Sequence, residues 1–352
     1  MHFQAKNSLQ RKSNNLIERN KFILAILFFC GFNFKIFKFF NYYKFWSTLY
    51  CGLLIVITTC ATFYCCENTS YLQIWSLSEY ILSVFILIIY NSKLSTFSFK
   101  LYEIDICLRF NLKQYYKNKQ KAAIMMIALW IVRISFTTIH CLCYICYTYI
   151  SVFTISLFSS FALDLNRVWR FMLLDIVYHR LQLLRKRLEE SAGCTYYLYV
   201  NKNKTLKEDT IKFCNYIYKN IADITDLITP ELHASVKYFV YLTTLLIFES
   251  IGFLIMHIFH VCFLLFSPCI LIELQSLEVE RIRHLLINRL IEEKDPRNKE
   301  KINEFLVYTN IRNFENKIWR FIPLNICLPI EIANMCISTI IVVINYTNLY
   351  GN

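Results

Sequence analysis

Glycine, proline and charged residues are all scarce in this chain. It has 352 residues, of which only 5 are Gly, 5 are Pro and 18% are charged. The shortage of glycine argues against glycine-rich phosphate loops, dinucleotide-binding fingerprints and helix packing of the Gly-x-x-x-Gly type. Few prolines leave long helices uninterrupted. So little charge excludes an ordinary soluble domain of this length.

Apolar side chains are what the sequence has in excess. Hydrophobic residues make up 56% of it, with 30 Phe and 24 Tyr. Much of the chain must therefore use lipid as its solvent, which predicts an all-α, polytopic membrane protein. No Ser, His and Asp set has a spacing that indicates hydrolysis, and nothing indicates a cofactor. We therefore expect no enzymatic activity.

The apolar stretches predict seven membrane-spanning helices, since one crossing needs ~20 largely apolar residues. Two of the five stretches are long enough for two helices each, with turns expected near 141–146 and 252–257. The five stretches cover residues 45–66, 71–91, 122–163, 238–272 and 322–350.

Basic residues predict the orientation of these spans, because cytoplasmic loops collect Lys and Arg. With seven spans, 37 of the 38 Lys and Arg lie on one side. The N-terminus is then cytoplasmic and the C-terminus extracellular, an orientation that argues against a G-protein-coupled receptor. The net charge of +13 is explained by this placement, so no nucleic-acid partner is expected. The cytoplasmic segments are 1–44, 92–121, 164–237 and 273–321 of a single domain, 1–350.

Three segments outside the spans are predicted to be helical. The apolar run Phe22–Phe34 is too short to cross a membrane and predicts a short interfacial helix. Trp169–Glu190 and Glu273–Glu293 have apolar residues at helical spacing and should continue two membrane helices into the cytoplasm. Their apolar faces pack either on the protein's own inner surface or on another subunit.

Charges within membrane spans are costly and are therefore candidate functional residues. Arg133 either pairs with Glu79 or Glu249 or reaches the inner headgroups. Glu79 either lines a ligand cavity or forms a structural ion pair. Glu249 and His260 lie 11 residues, ~16 Å, apart on one helix, which is too far for a shared metal. No metal site is expected.

Near the end of the chain, Ser338 and Thr339 precede five aliphatic residues, which Asn345 and Tyr346 follow. This segment resembles the C-terminal motif of the insect gustatory receptor family. That family's C-terminal motif is Thr-Tyr, five hydrophobic residues and Gln-Phe, and residues 338–346 keep its spacing with all four marker positions substituted. The replacements are Ser338, Thr339, Asn345 and Tyr346. The basic run Leu181–Leu188, the amphipathic segment Leu274–Leu290, the chain length and the predicted orientation extend the resemblance over most of the chain.

The resemblance implies a ligand-gated, non-selective cation channel that assembles as a homo- or heterotetramer with other gustatory receptor subunits. Its last helix, 322–350, would surround the pore. Hydrophobic constrictions gate pores by excluding water, and Pro323 and Pro329 should kink the inner end of this helix. The pore and gate residues are then Ser338, Ile341, Val342, Asn345 and Tyr346.

The resemblance also implies a small-molecule tastant that binds between the outer halves of the other helices. Depth alone makes Trp75, Glu79 and Tyr144 the candidates for that pocket. The expected location is the plasma membrane of a sensory neuron, with membrane lipid around the subunit. The alternatives are an odorant-receptor-type channel subunit, a subunit that assembles but conducts poorly, a secondary transporter, and a non-conducting membrane scaffold.

Overall fold

The computed structural model describes most of the chain apart from its two ends and the region around 109–149. The described residues are 21–32, 43–65, 71–108, 150–193, 206–245, 251–318 and 322–328, with single positions at 131, 134 and 135 and at eight places from 330 to 345.

Among these residues, seven helices and one very short hairpin have defined bounds. The helices are α1 (Lys21–Phe29), α2 (Tyr43–Cys65), α3 (Tyr71–Leu108), α4 (Ile150–Gly193), α5 (Leu206–Leu245), α6 (Ile251–Glu292) and α7 (Pro296–Ile311). The strands β1 (Lys317–Ile318) and β2 (Ile322–Pro323) pair antiparallel. The fold is thus helical, as predicted, with the addition of this hairpin. In the part of the chain that the structure describes, no helix combines the length and the apolar composition needed to cross a membrane.

The two predicted helical extensions are confirmed. Helix α4 runs without a break from the third apolar stretch, as the predicted fourth span, through 169–190, and α6 runs from the fourth stretch, as the predicted sixth span, through 273–292. At 44 residues, α4 is ~66 Å long. It contains no proline and reaches a glycine only at its end, Gly193, so nothing in the sequence interrupts its hydrogen bonding.

Two boundaries differ from the prediction. Residues 92–108, predicted as part of a loop, continue helix α3 to Leu108. The turn expected near 252–257 lies within α6, and the two neighbouring helices instead separate between Leu245 and Ile251. A single glycine near a helix start costs only ~1 kcal/mol, so Gly252 does not end the helix.

Helix α4 forms the centre of the bundle. It packs against α6, α3, α5, α2 and α1, while α5 also packs against α3 and α7. A buried stripe runs along its second half at intervals of three and four residues, which is the spacing of one helix face. Its members are Leu173, Val177, Leu181, Leu184 and Leu188.

The predicted amphipathic face of α6 packs within the subunit. Val279, Ile282 and Leu286 are buried in the same core as the α4 stripe. On the opposite face, Leu277 and Ile291 are 48% and 76% exposed. The first of the two interpretations, packing on the protein's own inner surface, therefore holds for the buried face.

The short N-terminal helix, α1, ends in a tight turn that is held by two tyrosines. The Tyr80 hydroxyl donates to the Cys30 carbonyl at 2.8 Å, and the Tyr50 hydroxyl donates to the Phe29 carbonyl at 3.0 Å. Gly31 follows with φ +85°, a left-handed conformation that favours glycine. The predicted short helix is confirmed, and its end is fixed against α2 and α3, with Phe32 fully buried.

A hairpin joins α7 to the last helical segment, by which we mean the described residues from 328 to 345, all of them helical. The Leu324 amide donates to the Asn316 carbonyl at 2.7 Å across the hairpin. The Asn325 side chain then accepts from the amides of Cys327 and Leu328, an N-terminal cap. The predicted start of this helix at 322 is wrong, because Pro323 lies in β2 and so cannot kink a helix. Pro329 is outside the described residues.

Candidate functional site

An exposed stripe on the last helical segment carries most of the predicted pore residues. Ser338, Ile341 and Asn345 lie on one face, because they are three and four residues apart. All three side chains are exposed in the single subunit, Ile341 to 52%. The exposed stripe continues toward the start of the segment, where Asn334 and Glu331 keep the same spacing and are also exposed.

The stripe is polar at most positions, although the segment is largely aliphatic. It runs Glu331, Asn334, Ser338, Ile341 and Asn345, and 14 residues of helix correspond to ~21 Å. A face with this alternation of polar and apolar groups is unusual for contact with lipid alone. Along this line it presents side-chain oxygens and amides, and Ile341 is its one aliphatic residue.

Of the two other predicted pore residues, the structure describes Val342 but not Tyr346. Val342 is helical and 65% exposed, and it lies beside the exposed stripe at the level of Ile341. Ile337, 55% exposed, lies on the other side of the stripe, next to Ser338. Tyr346 lies outside the described residues, so its position stays a prediction.

Sequence reasoning missed two members of the stripe, Glu331 and Asn334. The signal was present, because the spacing of three and four that relates the predicted residues extends to both. Glu331 is also the single charged residue between positions 321 and 352. Both residues lie before the aliphatic run that begins at Ile340, on which the pore prediction was centred.

Glu79 belongs to a buried ion-pair cluster between α3 and α4. The Arg167 guanidinium forms hydrogen-bonded ion pairs with Glu79 and, at 3.1 Å, with Asp164. The side chains of Arg167, Asp164 and Glu79 are only 4%, 7% and 13% exposed. Burying one arginine against two carboxylates is stable only because each charge has a partner. The Glu79 carboxylate is thus held by Arg167, which confirms the structural ion pair. Arg133, for which Glu79 was one of three expected neighbours, lies outside the described residues.

The remaining ligand-pocket candidates are not brought to a defined site. Trp75 lies in α3, but its side chain is outside the described residues, and so is Tyr144. Their roles stay predictions. Among the residues that the structure describes, no group of three or more His, Cys, Asp or Glu is placed to hold a metal.

A second ion pair fixes α3 to α4 farther along the chain. The Arg180 guanidinium donates to both oxygens of Asp105, at 2.9 and 3.0 Å, and Arg180 is only 1% exposed. This bidentate geometry satisfies charge and hydrogen bonds together.

A third cluster holds the end of α7 just before the hairpin. Arg312 pairs with Asp226 and, at 3.1 Å, with Asp223 of α5, and Lys100 of α3 pairs with Asp223 at 2.8 Å. The Tyr218 hydroxyl donates to the Arg312 carbonyl at 2.7 Å. Burial works to lower the pKa of Arg312, but Asp226 and Asp223 outweigh it, so this pKa is raised. The cluster fixes the point from which the chain leads into the last helical segment.

Solved structures share this arrangement of helices over nearly the whole chain. The insect olfactory receptor OR5 from Machilis hrabei in complex with eugenol is 14% identical, with a TM-score of 0.62, and the match covers 95% of this chain and 98% of that one. A second structure of that receptor is 14% identical, with a TM-score of 0.58 and coverage of 94% and 98%. Identity this low shows the fold alone: the chain has the fold of an insect olfactory receptor.

Comparisons by sequence give no further information. No protein-family profile matches the chain. No curated protein sequence matches it at a significant level either.

Proposed function

We propose that the chain is a subunit of a ligand-gated, non-selective cation channel of the insect chemoreceptor type, opened by a small molecule. The exposed stripe is the observation that carries this proposal. A helix that presents Asn, Ser and Glu to the outside of its own subunit needs water or another subunit to cover them. Four such helices around a common axis would provide both, with the stripes lining an aqueous pathway.

Two further observations support a membrane channel. The apolar stretches and the one-sided distribution of Lys and Arg favour seven spans with a cytoplasmic N-terminus. The fold matches an insect olfactory receptor over 95% of the chain. In this arrangement the subunit lies in the plasma membrane, the long inner halves of α4, α5 and α6 with α7 form the cytoplasmic part, and partner subunits complete a tetramer.

The gate is proposed at Ile341, the aliphatic residue of the stripe. Ile341, flanked by Val342, is the apolar constriction that excludes water when the four helices approach the axis. Asn345 and Ser338 lie one turn to either side and can replace part of an ion's hydration shell. Such neutral amide and hydroxyl groups distinguish poorly among cations, in agreement with a non-selective pore.

The ligand class is proposed from the C-terminal resemblance. The spacing of residues 338–346 is that of gustatory receptors, which favours a tastant. The fold equally suits an odorant-receptor-type subunit, which would share the channel and differ in ligand and partner. A transporter or a non-conducting scaffold remains the alternative of another class, distinguished by substrate accumulation without current or by silence.

The test is whole-cell current from cells that express the chain, alone and with related subunits, challenged with tastant and odorant panels. Asn345→Ala should change the relative permeability of the evoked current for Na⁺, K⁺ and large organic cations. The matched control is Asn310→Ala, an exposed asparagine on α7 that lies away from the exposed stripe. A current that changes equally in both variants would remove Asn345 from the pore. Silence from surface-expressed chain under all conditions would refute the channel.

A further inference from the structure

Glu331 is the first residue of the exposed stripe and its one charged member. The last 32 residues of the chain, 321–352, contain no other Asp, Glu, Lys or Arg. Its side chain is exposed, and its amide donates to the Cys327 carbonyl at 3.0 Å in the first turns of the last helical segment. Within the described part of the chain, no basic group forms an ion pair with its carboxylate.

The position of this carboxylate matters because the rest of the chain is strongly basic. The formal net charge is +13 per subunit, and the predicted topology places most of the Lys and Arg on the side from which the stripe begins. Such a surface repels cations that approach a central opening. A carboxylate at the opening reverses the local potential, and rings of Asp or Glu are the usual means of attracting cations to a pore.

We infer that Glu331 sets the cation preference of the pore: four copies form an acidic ring at its cytoplasmic end. The inference rests on the proposed function, since the ring exists only if the stripes line a common pathway. The ring gathers monovalent and divalent cations at the inner end, while the neutral Asn345 and Ser338 leave the pore non-selective among them.

A purely structural role for Glu331 has a different consequence. A carboxylate in the first turns of a helix interacts favourably with the helix dipole by ~0.3–1 kcal/mol. Losing that interaction lowers stability and the amount of channel at the surface. It does not alter the reversal potential or the shape of the current–voltage relation.

The experiment compares ligand-evoked currents of the full chain with those of Glu331→Gln, which removes the charge and keeps the shape. Because the ring faces the cytoplasm, outward current should fall on the order of threefold relative to inward current, and the cation-to-anion permeability ratio should fall. Both effects should shrink at high salt, which screens the ring. Glu304→Gln is the control, because Glu304 is exposed on α7 and lies away from the stripe. It should leave both quantities unchanged.

A second variant tests the inference within one folded channel. Glu331→Cys, treated from the cytoplasmic side with thiol reagents that carry a sulfonate or an ammonium, should gain outward current with the first and lose it with the second. The natural chain, which has 15 Cys of its own, is treated in the same way as the control for other sites. If the wild type, Glu331→Gln and Glu304→Gln all give currents with the same rectification and the same permeability ratio, the inference is overturned. The channel proposal is unaffected by that result. Absence of any wild-type current would overturn both.

Discussion

Replacing Gly31 by alanine should destabilise the turn that follows α1, for two separate reasons. Gly31 has φ +85°, which an L-residue adopts at a cost of ~1–2 kcal/mol. A Cβ at this position would lie 2.5 Å from the Tyr80 hydroxyl oxygen, the atom that donates to the Cys30 carbonyl. Overpacking of this kind costs ~1–3 kcal/mol. Gly31→Ala should therefore cost ~2–5 kcal/mol.

The clash with the Tyr80 hydroxyl, the second of these reasons, can be removed by the substitution Tyr80→Phe. Tyr80→Phe alone loses a buried hydrogen bond to Cys30, at ~1–2 kcal/mol. The double variant lacks the Tyr80 hydroxyl oxygen, which is the atom that would clash. It also loses the hydrogen bond to Cys30 once, whereas adding the two single costs counts the disturbance of this contact twice. The combined cost should fall below the sum of the single costs by ~1–2 kcal/mol, which is within the range of coupling between residues in contact.

The assay is the thermal midpoint of the detergent-solubilised chain, followed by size-exclusion fluorescence. At about 2 °C per kcal/mol for a chain of this size, the coupling should appear as ~2–4 °C. Gly52→Ala is the control, because Gly52 lies exposed in α2 and a Cβ at that position would have no neighbour within 4 Å. It should be neutral or slightly stabilising. Additive costs for Gly31→Ala and Tyr80→Phe would refute the contact on which the reasoning depends.

Two further predictions concern the part of the bundle around the second half of α4. Asp105→Asn leaves Arg180, 1% exposed, without its charged partner and should cost ~3–5 kcal/mol in stability, whereas Arg180→Met with Asp105→Leu should cost far less; equal costs, measured as thermal midpoints, would contradict a buried ion pair. Burial raises the pKa of the Cys214 thiol to about 11 from 9.0, so its reaction with maleimide should be at least ~100-fold slower in native than in denatured protein. That reaction should accelerate about tenfold per pH unit up to the raised pKa, since the thiolate is the nucleophile; exposed Cys60, labelled in the same sample, is the comparison.

Helix identity was determined by the sequence alone. Long apolar stretches with few glycines and prolines have no local alternative to helix, so α2 and α4 lie where hydropathy predicted them, whereas α6 begins before its expected turn. The short helix before Gly31 and the two helical extensions, 169–190 and 273–292, followed from the same local patterns. The spacing of Ser338, Ile341 and Asn345 likewise predicted that these three residues share one helix face.

Boundaries and partners required the tertiary structure. The predicted fourth span ends at Leu163, before the charged residues Asp164 and Arg167, whereas Glu79 is predicted at the depth of the outer ligand pocket. The ion pair brings Glu79 and Arg167 to one level, so these two predictions cannot both hold. Counting cationic residues assumes that each one seeks water, but Arg167 is neutralised by two carboxylates inside the bundle.

The exposed stripe was likewise determined in part by the sequence and in part by the tertiary structure. Periodicity determined which residues share a face, since that depends only on 3.6 residues per turn. Exposure depends on contacts between helices far apart in sequence, so only the tertiary structure shows that Glu331 and Asn334 are exposed and extend the stripe. The local sequence pattern determines in which direction a side chain points around the helix axis. Whether that side chain is buried depends on the whole packed bundle.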